Sequence, residues 1–276
     1  MFLYYIMQFT PYNNGKSLYF RSLFGGKPIV GKGVYGIALK PDIIYGNNNY
    51  ISKLFILPEN ITISEFKKLE NSLNKIDPLN RYHLPLIDID IIKESHNLEQ
   101  LNSDDKKKYV YIATYEYGGI SLNNIIEKSI YDSRMTPTFC KQILNGFINL
   151  FEGLIHLSIY KINHSDIHPG NIVFDLDNPS IMRFIDFDPD ISWWNFEKRY
   201  ALDITNLIHC LESIIHQFVD NMTRTNNLLF SSYLQDIIII LDKSREQLAR
   251  YEDIKLIPEI KQKLKKKFDE IDPFLT

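Results

Sequence analysis

Apolar positions along the chain fall into two regimes. Up to about Tyr115 they come as short runs, at Pro28–Val30, Tyr35–Leu39, Tyr50–Leu57, Leu84–Ile92 and Val110–Tyr115. Gly, Asn, Asp or Lys clusters separate them, which predicts strands joined by turns. One helix interrupts this series. Thr62 or Ser64 can cap it, Phe66, Leu69, Leu73 and Ile76 recur at helical spacing, and Asp77-Pro78 ends it. Met1–Phe9 is apolar and aromatic, lacks a basic leading region and is broken by Gln8, so it predicts a buried first strand rather than a signal peptide. The polar run Lys93–Lys108 reads as a surface loop.

After Gly118-Gly119 the spacing becomes helical over long stretches. Thr136-Pro137 is a cap followed by a first-turn proline. Behind it, Phe139–Ile159 carries Ile143, Leu144, Phe147, Leu150, Phe151, Leu154 and Ile155. That stripe is too broad for a surface helix and predicts a central, buried one. Further helices are predicted at Tyr200–Val219, Leu228–Tyr251 and Pro258–Phe268. Strands first and helices afterwards indicate an α+β chain with two unequal lobes. No repeat of 20–50 residues is visible. Leu228–Leu241, with Ser231, Ser232, Gln235 and Asp236, falls short of the ~20 apolar residues of a membrane span.

Composition narrows the classes. With 276 residues, 45% hydrophobic and 24% charged, the chain is neither collagen-like, mucin-like nor largely disordered, and it has length enough for a sizeable core. A net charge of -3 gives no long-range attraction to nucleic acid or anionic membrane. Cys140 and Cys210 are too few for a disulfide framework, which points to a reducing, cytoplasmic setting.

Four segments carry candidate chemistry. Gly31-Lys32-Gly33-Val34-Tyr35-Gly36 is a G-x-G-x-x-G between two strand-like runs; it can cradle phosphate oxygens on bare N–H groups or be a plain glycine-rich hairpin. Lys53 stands alone in the strand Tyr50–Phe55, where it either snorkels to solvent or meets an anion. His164-Ser165-Asp166-Ile167-His168-Pro169-Gly170-Asn171 sets many polar groups between a buried helix and the strand Ile172–Phe174. Asp166 can take a proton from a hydroxyl, and Asn171 can hold a metal through its amide oxygen. Asp186 and Asp188 end the apolar run Phe184-Ile185; they suit a hard cation such as Mg²⁺ or form a solvated turn.

In this order the four segments resemble the protein-kinase-like superfamily, whose signature is a Gly-rich loop, a strand Lys, a catalytic loop H-R-D-x-x-x-x-N and D-F-G. The resemblance spans about Pro28 to Cys210. It implies a two-lobed fold in one domain over residues 1–276, with a small β-rich N-lobe bearing one helix (1–115), a hinge (116–119) and a larger helical C-lobe (120–276). It further implies ATP and Mg²⁺ as cofactors. Gly31, Lys32, Gly33, Val34 and Gly36 would cover the phosphates, and the Glu116 carbonyl and Gly118 N–H of Glu116-Tyr117-Gly118-Gly119 would hold adenine. Lys53 would pair with the α- and β-phosphates and with a helix Glu. Chain distance selects Glu70 for that partner, while Leu69, following four residues after Glu65, favours Glu65. Asp166 would orient the acceptor hydroxyl and take its proton, Asn171 and Asp186 would hold Mg²⁺, and Asp203 would brace the catalytic loop.

Departures qualify the activity. Ser165 replaces the usual Arg, hardly any loop fits between Asp188 and Arg199, and no Ala-Pro-Glu follows, so switching by loop phosphorylation is not expected. Asp188 stands in place of Gly. His168-Pro169-Gly170-Asn171 and Ile185-Asp186-Phe187-Asp188 are also similar to aminoglycoside and other small-molecule phosphotransferases. The expected activity is transfer of the ATP γ-phosphate to a Ser/Thr hydroxyl of a protein. A small-molecule kinase, a pseudokinase binding module, and a metallohydrolase using His164, Asp166, His168, Asp186 and Asp188 are the alternatives. The Asn-, Ile- and Lys-rich composition is similar to that of kinases of large DNA viruses, which would place the protein in host cytoplasm or virion.

Overall fold

The computed structural model describes residues 29–32, 36–46, 48–57, 61–93, 96, 98, 101, 108–127, 134–188, 196–251 and 256–274. The predicted strand Met1–Phe9 lies outside them. Five strands, β1 (Ile29–Lys32), β2 (Gly36–Leu39), β3 (Tyr50–Phe55), β4 (Leu86–Ile91) and β5 (Tyr111–Glu116), form an antiparallel sheet in the order β1-β2-β3-β5-β4. Period-two alternation sorts its side chains. Lys53, Phe55 and Ala113 share one face with α1 (Ile63–Ile76), while Leu39, Leu54 and Ile112 share the other.

That second face corrects the reading of Lys93–Lys108 as only a surface loop. Leu98 and Leu101 are buried with Tyr109 against Ile37, Leu39, Leu54 and Ile112. Two leucines three apart inside a polar run suffice, because the sheet leaves an apolar face that needs cover. A polar knot also sits beside this face: buried Asp42 accepts from the Ser52 hydroxyl, from the Thr114 hydroxyl at 3.1 Å and from the Tyr45 N–H at 2.5 Å.

α1 is defined at both ends by side chains. Thr62 Oγ1 accepts the Glu65 N–H at 3.2 Å and Glu65 Oε2 accepts the Thr62 N–H at 2.8 Å, a reciprocal capping box. At the other end the Asp77 carboxylate accepts from the Arg81 and Tyr82 N–H groups and from the His83 ring. Burial alone would raise its pKa, but the His83, Tyr82 and Arg81 bonds outweigh that and hold it at about 2.

The rest is mainly helical: α2 (Leu122–Glu127), α3 (Pro137–Ile159), α4 (Phe196–Arg224), α5 (Leu228–Tyr251) and α6 (Leu256–Asp269). Among the described residues none is long and apolar enough to cross a membrane. A second antiparallel sheet, β6 (Ile120–Ser121), β7 (Ile172–Asp175) and β8 (Asn178–Phe184), lies in the order β6-β7-β8. α3 is buried along most of its length, from Phe139 to Leu157, as its broad stripe predicts. It packs against β8, α4 and α6 in the main apolar core, to which α1 adds Leu69 and Leu73. Backbone bonds tie β8 to the segment after α1: Phe184 N–H to Tyr82 O at 2.8 Å and Leu84 N–H to Phe184 O at 3.3 Å. Cys140 and Cys210 are buried and unpaired.

Removing a ring from this centre tests the core. Phe151 is fully buried on α3, so Phe151→Ala should lose ~3–5 kcal/mol in urea unfolding. A loss below ~1 kcal/mol would contradict a central α3.

Candidate functional site

Two loops meet beside β3. The first, His164–Asn171, runs from the end of α3 to β7 and finishes in a short 3₁₀ turn, Pro169–Asn171. Its shape depends on Asp203, buried in α4, whose two carboxylate oxygens accept the His164 N–H at 2.8 Å and the Ser165 N–H at 2.9 Å. Burial raises the Asp203 pKa to about 7 even against those two donors. Between them Ser165 is held in the left-handed region, at φ 66°, a conformation costing a non-glycine residue ~1–2 kcal/mol. That turn presents Asp166, whose carboxylate is exposed.

The second loop, Ile185–Asp188, follows β8. It is joined to the first by three bonds: His164 Nε2 to Ile185 O at 2.9 Å, Asp188 N–H to His164 O at 3.1 Å, and Ile185 N–H to Asn171 O at 3.0 Å. His164 is buried, and burial drops its pKa to about 4, so the ring is neutral. Its Nδ1 accepts the Asp166 N–H at 3.3 Å. The ring lies 4.4 Å from that of Phe187, centroid to centroid, which anchors the second loop in the core. Asp186 again has a positive φ, 62°.

Lys53 closes the arrangement. Its ammonium contacts the Asp186 carboxylate, joining β3 to the second loop across 133 residues of sequence. It therefore meets an anion rather than simply snorkelling. Gly36 on β2 covers the same spot, since a Cβ there would lie 3.2 Å from Lys53 Cε and 2.8 Å from Leu54 O. Asn171 is buried, and its Nδ2 donates to the Asp166 carbonyl at 3.0 Å and to Asp166 Oδ2 at 3.2 Å. Its amide oxygen has no hydrogen bond among the described residues. The Asp166 pKa is raised, by partial burial first and by the Asp186 and Asp188 charges, against the pull of His168 and Asn171.

Of the two glutamates weighed as partners of Lys53, Glu65 is exposed and committed to the α1 cap. Glu70 is buried and faces the sheet, where it accepts from the Tyr115 hydroxyl at 3.2 Å. The expected Lys53–Glu70 pair is thus corrected. Lys53 pairs with Asp186, the nearer carboxylate, and Glu70 feels the lysine only as a charge lowering a pKa that burial has pushed to about 7. The Glu70 partner is Tyr115 on β5, across from α1.

Glu116 ends β5 opposite Tyr50, and Gly118-Gly119 leads into β6. Gly119 has φ 98°, and a Cβ there would lie 2.0 Å from Phe174 O, so this connection requires glycine. Gly31 and Lys32 lie on β1; Gly33 and Val34 fall outside the described residues. The five-ligand metal centre does not form. Both ring nitrogens of His164 are engaged in hydrogen bonds, and no group of three His, Cys, Asp or Glu placed to hold a metal occurs among the described residues.

No family model matches the chain, and no curated protein matches it. Functional assignment therefore rests on the geometry.

The buried glutamate gives a pH signature. Between about pH 4.5 and 7 the folded chain keeps a proton on Glu70 that the unfolded chain has released, so this group's contribution to stability falls as pH rises through that window. Relative to Glu70→Gln, the wild type should lose up to about 3 kcal/mol across the window in parallel urea titrations. Parallel pH curves would refute a buried, titrating Glu70.

Proposed function

We propose that the chain is an ATP-dependent phosphotransferase with the two-lobed, protein-kinase-like arrangement, moving the γ-phosphate of Mg-ATP to a Ser/Thr hydroxyl of a protein. The observation that carries this reading is the Lys53–Asp186 contact, made on a loop bonded directly to the loop of Asp166 and Asn171. A strand lysine, two acidic groups and an amide oxygen thereby converge from three separate stretches of sequence.

Each group suits one task. Lys53 is a compact cation for phosphate oxygens, its charge held by Asp186 in this structure. Asp166, exposed and with a raised pKa, suits the base that takes the proton of the attacking hydroxyl. The donor set fits Mg²⁺: the Asn171 amide oxygen and the Asp186 carboxylate are hard oxygens, and a pair leaves room for waters and phosphate oxygens. Bound there, the ion would neutralise charge on the phosphates. Gly36 on β2, with Gly31 and Lys32 on β1, would offer backbone N–H groups to the triphosphate, and the Glu116 carbonyl and Gly118 N–H would hold adenine. Catalysis then comes from positioning and electrostatics.

One observation favours a small-molecule acceptor as the second reading. Seven residues separate Asp188 from Phe196, where α4 begins, and the Asn163 amide bonds the first carbonyl of α4 at 3.3 Å. Little chain is left there to dock a peptide.

Labelled ATP with Mg²⁺, offered generic protein acceptors and, separately, choline, sugars and aminoglycosides, discriminates the readings. Protein labelling is expected, and transfer only to a small molecule overturns the protein acceptor. Asp166→Ala should lower turnover by ~10²–10⁴-fold, and Lys53→Met should abolish detectable transfer, each with unchanged circular dichroism. Nucleotide binding without turnover in the wild type would make the chain a pseudokinase.

A further inference from the structure

One ring of the catalytic loop has no task in the phosphotransfer reading. His168 is the N-cap of the turn Pro169–Asn171, where its Nδ1 accepts the Gly170 N–H at 3.1 Å. A ring nitrogen that accepts carries no proton, so the neutral tautomer bears its proton on Nε2. Nε2 lies 3.7 Å from Asp166 Oδ2, and the side chain is 40% exposed. From the other side, Asn171 Nδ2 donates to the same Oδ2 at 3.2 Å. Two N–H donors therefore flank one oxygen of the carboxylate. Asp166 Oδ1 has no hydrogen bond among the described residues.

We propose that His168 is a positioning residue for Asp166: its Nε2–H, together with Asn171 Nδ2, holds Oδ2 and leaves Oδ1 as the atom that meets the acceptor hydroxyl. The inference rests on the phosphotransfer reading. At 3.7 Å the contact is looser than a hydrogen bond, as is common for catalytic groups before substrate binds. In the step, the acceptor oxygen bonds to the γ-phosphorus and its proton passes to Oδ1. The bond from the γ-phosphorus to the β,γ-bridging oxygen breaks, and its electron pair leaves with ADP. A carboxylate free to rotate would present either oxygen; one pinned through Oδ2 presents Oδ1 with a fixed direction.

Two amide variants separate positioning from capping. His168→Asn keeps an acceptor for the Gly170 N–H but lacks any group at the Nε2 position. His168→Gln places an N–H donor near that position and gives up the cap. The expected result is that His168→Asn melts with the wild type, keeps KM for ATP, and loses kcat by ~10–10²-fold, the scale of a small misplacement. His168→Gln should melt lower and retain more kcat than His168→Asn. An active wild type matched in kcat by His168→Asn overturns this proposal alone. A wild type that transfers no phosphate to any acceptor overturns the phosphotransfer reading and this proposal with it. Long-range ¹H–¹⁵N correlation on the wild-type protein at alkaline pH gives a readout without turnover: Nε2-protonated His168 is expected, and an Nδ1-protonated ring overturns the proposal even if a variant fails to fold.

Discussion

The site depends on a carboxylate that no solvent reaches. Asp203, fully buried in α4, spends both oxygens on the backbone N–H groups of His164 and Ser165. Without that acceptor the loop would leave two donors unpaired at the edge of the main core, a penalty of about 1–3 kcal/mol for each. With it, Ser165 is held left-handed and Asp166 emerges into solvent beside Asn171. Removing the side chain's charge from water is what drives its pKa to about 7, so the brace is itself held under tension by burial.

The same physics recurs at two other buried carboxylates. Asp77 collects two N–H groups and a ring nitrogen at the end of α1, and Asp42 collects two hydroxyls and an N–H beside the first sheet. Both are buried and both are satisfied locally, as buried polar groups must be. Asp166 and Asp186 differ in being exposed, one resting on Asn171 and the other on a lysine. Structural carboxylates here are enclosed and matched by several backbone and side-chain donors; the candidate functional ones face solvent with side-chain partners.

Packing supplies the rigidity these contacts need. The neutral His164 ring, in tilted contact with Phe187 and bonded to Ile185 O, couples the loop of Asp166 to the loop of Asp186 through the core. Displacing either loop would disturb a close-packed aromatic contact as well as hydrogen bonds. α1 belongs to both sides of the arrangement, since Phe66 packs on the first sheet while Leu69 and Leu73 reach the main core.

Much of this was legible from residue order. Short apolar runs bounded by turn residues located the five strands of the first sheet, the Asp77-Pro78 break ended α1 where predicted, and the broad stripe of Phe139–Ile159 announced a buried helix, because these are local signals. The polar run at 93–108 misled, since two leucines carry little periodic signal yet find a sheet face to cover. The chain alone also named Lys53, Asp166, Asn171 and Asp186, as residue types out of keeping with their apolar surroundings, while Asp203 was named through the family resemblance. What it could not supply was their pairing. That Lys53 meets Asp186 rather than Glu70, and that Tyr115 takes Glu70, follows from distances across as many as 133 residues. Such distances are decided only when the sheets and helices close around their shared core, because Coulomb and hydrogen-bond energies depend on separation in space and not along the chain.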